Sequence, residues 1–147
     1  MESSTVRTRT QEIPRRRWKA FFEEFSRRHE GWLIDVEELM GDRGAQKEVS
    51  GLPFHGASAT AAPRASVVIE AGRGPEDHIE HRIEGSRRIW VESLSGGAEA
   101  AVEIESAGGR RTLLEFRSPQ PTEAVDGMAA PRRRRRPKRP STNRSPR

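Results

Sequence analysis

The sequence predicts an α+β fold: an N-terminal amphipathic helix packed on a curved, mostly antiparallel sheet of six to eight strands, either open or closing toward a small barrel. Three observations carry that prediction. Trp18, Phe21, Phe22 and Phe25 recur at i, i+3, i+4 and i+7, the spacing that puts all four rings on one stripe of an α-helix. After Gly31 the period changes from 3.6 to 2, and short alternating or β-branched segments return about every ten residues between Gly, Pro and Ser. The connections are too short for crossover helices, so the strands form a mostly antiparallel meander.

Residues 1–12 are polar and aperiodic and read as a flexible lead. The helix is expected from Pro14 to His29, because proline suits a first helical turn and Gly31 suits the position past the end. Glu23/Arg27 and Glu24/Arg28 add i, i+4 pairs of favourable orientation. Arg15, Arg16 and Arg17 oppose the helix, since each cation near its positive end costs about 0.3–1 kcal/mol before screening. Their presence there has two explanations: solvation of an exposed face, or attraction of an anionic partner.

The expected strands are Trp32–Glu38, Ala45–Ser50, a weak Phe54–Ala59, Ala65–Ala71, Asp77–Glu84, Arg87–Ser93, Ala100–Glu105 and Thr112–Arg117. Residues 75–85 also suit a short helix, with a proline and acids at the start, Ile79 and Ile83 four apart and Gly85 at the end. The strand is preferred because Arg87–Ser93 is a good partner and Gly85-Ser86 a credible hairpin turn. For the last hairpin, a two-residue Gly108-Gly109 loop would set Val102 against Glu115. A three-residue Ala107-Gly108-Gly109 loop pairs Val102 with Leu114, so the apolar faces coincide.

The chain has 147 residues, room for one domain over residues 13–118, followed by a Pro/Arg-rich segment, 119–147, too poor in apolar residues to bury a core and expected to be disordered. Of 27 Lys+Arg, nine lie after residue 131: Arg132, Arg133, Arg134, Arg135, Arg136, Lys138, Arg139, Arg144 and Arg147. All 22 Asp+Glu precede them, so residues 1–130 carry net negative charge and the pI of 10.8 belongs to an appendage. Cysteine is absent, which excludes disulfides, thiolate metal sites and Cys nucleophiles. No apolar run suggests a signal peptide or membrane helix, so the expected compartment is the cytoplasm. Arginine far exceeds lysine and tyrosine is missing, a bias of GC-rich bacterial coding.

Ile13-Pro14, Trp18, Phe21-Phe22, Phe25-Ser26, His29-Glu30-Gly31-Trp32, Leu52-Pro53-Phe54, Glu103-Ile-Glu-Ser106 and Thr112-Leu-Leu-Glu-Phe-Arg117 together resemble a family of small uncharacterised bacterial proteins catalogued as a domain of unknown function. The resemblance covers about residues 12–118. It is specific as a sequence pattern and implies no activity, ligand or catalytic residue.

Read from the residues, the chemistry is sparse. His78 and His81, beside Asp77 and Glu80, point to opposite faces of a strand and would share a face only in the helical alternative. A zinc site would need a further ligand, so no metal or cofactor is expected. His29 suits a helix C-terminus, where it meets the negative end of the dipole and a free carbonyl. There is no Gly-x-Ser-x-Gly elbow, and the glycine pairs lack the strand-to-helix setting of phosphate loops. The expectation is a non-catalytic accessory or interaction domain whose cationic tail binds nucleic acid or another anionic polymer without sequence specificity, with Arg15–Arg17 as a secondary cluster. The alternatives are a cupped sheet or barrel holding a small ligand and, less favoured, an enzyme.

Overall fold

Helix α1 runs from Trp18 to His29 and is preceded by a 3-10 turn at Arg15–Arg17. Its apolar stripe buries Trp18, Phe22 and Phe25, with His29 continuing it one turn on; Phe21 lies on the flank, half-buried. The helix sits against eight antiparallel strands: β1 (Thr8–Glu12), β2 (Leu33–Leu39), β3 (Ala45–Thr60), β4 (Ser66–Ala71), β5 (Ile79–Glu84), β6 (Ser86–Leu94), β7 (Glu99–Ser106) and β8 (Arg110–Phe116). This computed structural model describes residues 8–61 and 63–118. The sheet order is β1-β6-β7-β8-β2-β3-β4-β5, an open sheet not closed into a barrel.

One irregularity of the sheet lies in β3. Two segments were expected there, Ala45–Ser50 and Phe54–Ala59, with Gly51-Leu52-Pro53 as a break. One 16-residue strand forms instead. Its first half pairs with β2 and its second with β4, and the β2 register slips where Ile34 faces Leu52 but Asp35 faces Ser50. Gly51 is the extra residue, with φ +64° and its N–H turned to the Asp35 carboxylate at 2.8 Å. A glycine bulge thus bends the strand without ending it.

Two further expectations are corrected. Residues 8–12, assigned to the flexible lead, pair with β6 from Thr8↔Leu94 to Glu12↔Trp90. All five are exposed, so this edge strand bears no apolar signal for periodicity to detect. Gly85-Ser86 is not a hairpin turn, since β5 pairs with β4 while β6 pairs with β1 and β7. Both N–H groups donate to Ala65 O, at 3.0 and 3.2 Å, making a corner between opposite ends of the curved sheet. Residues 75–85 combine both readings, a 3-10 turn at Pro75–Asp77 and then β5. The final hairpin has the three-residue loop, with Val102 opposite Leu114 and positive φ at Gly108 and Gly109.

The hollow of the sheet is filled by side chains. Phe25 is fully buried, 5.7 Å from the Phe54 ring and 5.5 Å from Phe116, and Ile34, Val36, Ile69, Ile89, Val102, Ile104 and Leu114 complete the core. Ser26 ties the helix to β3 by donating to Ala57 O (3.1 Å) and accepting from Ala57 N–H (2.8 Å).

Candidate functional site

Arg15, Arg16 and Arg17 are exposed on their turn, and none forms an ion pair among the described residues. The turn is held from below. Trp18 Nε1–H donates to Ile13 O at 3.0 Å in the interior, and the Arg15 guanidinium lies 4.8 Å above the Trp18 ring. That cation–π contact offsets part of the dipole cost, with about 0.5–1 kcal/mol at an exposed site.

Strand pairing enlarges the cluster. Ile13 N–H donates to Ile89 O (2.8 Å), which extends the β1 register by one pair, so Pro14–Arg17 follows the ladder at the end where Arg87 and Arg88 stand near the start of β6. Arg88 lies 3.7 Å from Glu12 and 5.8 Å over Trp90, whereas the exposed Arg87 makes no ion pair among the described residues. By register, arginines of two elements thus stand at the same end of the β1–β6 ladder, an arginine corner. Sequence reasoning found Arg15–Arg17 and missed Arg87, because only recognition of β1 brings the two stretches together. The nine tail cations, Arg132–Arg136, Lys138, Arg139, Arg144 and Arg147, lie outside the described residues.

The four histidines do not converge on one point. His29 is buried, its Nδ1–H donating to Phe25 O at 2.7 Å and its ring packed on Phe116 with centroids 4.5 Å apart. Burial lowers its pKa to about 4. Nε2 lies 3.4 Å from Glu99, but Arg28 already grips both oxygens of that carboxylate at 2.8 and 2.9 Å, compensating its charge. The assembly fastens the end of α1 to the start of β7. His55 Nε2–H donates to Gly72 O (2.7 Å), and its ring is 5.5 Å from that of His78. His81 lies instead 3.9 Å from Glu48, so His78 and His81 do not converge. Among the described residues no group of three or more His, Asp or Glu is placed to hold a metal ion.

Away from the helix, the outer face of the sheet is studded with carboxylates. Glu103 and Glu105 lie there as expected, half-exposed. Asp35 is held below the usual carboxylate range chiefly by its hydrogen bond from Arg117. Two shallow depressions open at turns, one of about 380 Å³ between Met40–Arg43 and Gly108–Arg110 and one of about 270 Å³ beside Arg9 and Ser93–Ser95. Among the described residues no helix is long and apolar enough to cross a membrane.

A family described as a family of unknown function (DUF5335) matches residues 9–125, a span that begins within β1 and ends before Arg132. No curated protein and no solved structure matches the chain.

Proposed function

The chain belongs to that family of unknown function, DUF5335, and we propose that this member is a non-catalytic interaction domain that associates with nucleic acid through its cationic segments. The segregation of charge supports the reading. Nine cations without an acid follow residue 131, and the arginine corner at Arg15–Arg17 and Arg87 holds further cations without an ion pair among the described residues, while residues 31–130 carry 10 basic and 17 acidic residues. A phosphate backbone would be drawn to the first two features and repelled by the outer sheet face. Such contacts neutralise phosphates and release counterions without reading bases.

The test compares the full chain, a full-length variant with its nine tail cations changed to Gln, and Arg15→Gln/Arg16→Gln/Arg17→Gln, by fluorescence anisotropy on duplex DNA. The full chain should bind sequence-independently, with a log–log salt slope of about −4 to −8. Tail neutralisation should remove most of that slope, and the corner variant a smaller part. Undiminished binding by the tail variant would refute the assignment to Arg132–Arg147.

A further inference from the structure

We propose that the outer face of the six strands β1-β6-β7-β8-β2-β3 is the docking surface for the chain's own segment 132–147, and that nucleic acid must displace the segment from it. The displacement rests on the function proposed above; the docking stands on the fold.

Side chains alternate across a sheet. Ile89, Val102, Leu114 and Val36 fill the inner face, leaving Trp90, Glu103, Leu113 and Glu37 in one transverse row of the outer face by register. No described element covers that face. Glu37, Glu92, Glu105 and Glu115 make no ion pair among the described residues, and Trp90 and Leu113 remain half-exposed between them. Arg88, Arg111 and Arg117 on the same face are already paired with Glu12, Glu103 and Asp35, and Lys47 stands opposite Glu37, so the charge left over among the described residues is acidic. An acidic and apolar surface fits arginine, whose methylenes cover apolar groups while its planar guanidinium meets carboxylates. Segment 132–147 supplies eight arginines, one lysine and no acid.

Attachment makes the encounter local. β8 is the fourth of the six strands, so the chain leaves this face from the end of a central strand. Arg132 is 15 residues past Arg117. Fifteen residues obeying coil statistics span about 20 Å root-mean-square, and the sheet extends roughly 10–15 Å to either side at ordinary strand spacing. The segment therefore meets the face at an effective concentration on the order of millimolar. Each exposed ion pair contributes only about 0–1 kcal/mol and is screened by salt, so docking is weak, multivalent and reversible.

Lys138 provides the test, because it is the segment's one lysine and the others are Lys19 and Lys47. A zero-length carbodiimide joins an amine to a touching carboxylate. In the full chain at about 50 mM salt, Lys138 should couple within the monomer to Glu37, Glu92, Glu105 or Glu115. Lys19, on α1 away from this face and four residues before Glu23, serves as the internal reference. Excess duplex DNA should lower the Lys138 coupling by at least about fivefold while leaving the Lys19 coupling unchanged. The full-length variant Glu37→Gln/Glu92→Gln/Glu105→Gln/Glu115→Gln should lose the coupling and bind DNA several-fold more tightly. Lys138 coupling elsewhere, nowhere, or only in cross-linked dimers overturns the docking. Coupling to this face that DNA leaves untouched upholds the docking and overturns the displacement, and with it the nucleic-acid reading of the tail.

Discussion

Arg117 closes over Gly51 to hold Asp35, with Nη2 2.9 Å from Oδ1, and the Gly51 N–H donates to the same oxygen at 2.8 Å. A Cβ at Gly51 would lie 2.8 Å from the guanidinium carbon, in addition to the strain of φ +64°. The carboxylate is thus shared by the bulge and by the residue just after β8. Asp35→Ala should destabilise by about 1–2 kcal/mol, because a bulge N–H loses its acceptor. Arg117→Ala should cost less than about 1 kcal/mol, since it removes only an exposed ion pair. Urea titrations of the two variants establish the order, and the reverse order would mean that the ion pair, not the bulge, matters.

Phe25 and Phe21 lie four residues apart on α1 but differ in burial. Phe25→Ala should cost about 3–5 kcal/mol through a cavity bounded by Phe54 and Phe116. Phe21→Ala, at the flank, should cost less than half as much. Equal losses in thermal melts would contradict the observed rotation of the stripe.

His29 predicts a pH dependence. Its folded pKa of about 4 lies below the ordinary 6.5, so the unfolded chain binds the proton more readily. The stability contributed by the neutral ring is complete above pH 6.5 and lost as the pH falls through about 4, amounting to about 3 kcal/mol. His29→Phe keeps an aromatic ring in the cage and should flatten this limb of the stability profile. An unchanged limb would assign the acid sensitivity to carboxylates.

Legibility followed burial contrast. Trp18, Phe22 and Phe25 announced the helix because they alternate with charge at 3.6-residue spacing, and Val102 and Leu114 fixed the last hairpin because a one-residue slip would expose both. β1 carries no such contrast: Thr8–Glu12 is exposed throughout, and its strand state comes from the free edge of β6. Gly51 looked like a break because sequence cannot distinguish a bulge from a loop when the residue that completes it, Asp35, lies 16 positions away. The arginine corner was half visible for the same reason, since Arg87 joins Arg15–Arg17 only through the pairing of that silent strand.

The β1 edge gives the last prediction, through the alternation of an antiparallel ladder. Ile13 donates to Ile89, so hydrogen-bonded positions recur every second residue, which places Gln11 opposite Val91 among them and turns the Thr10 N–H away from β6. Proline lacks the donor, and edge strands tolerate it only where that donor would face solvent. Thr10→Pro should therefore change stability by less than about 1 kcal/mol, whereas Gln11→Pro should release β1 at a cost of about 1–3 kcal/mol. Release would uncover a six-residue run of β6 backbone and favour edge-to-edge association. Hydrogen exchange at the Val91 amide and size-exclusion chromatography read both effects. Faster exchange and self-association in Gln11→Pro alone would match the register, and equal disruption by both prolines would show that β1 pairs in another phase.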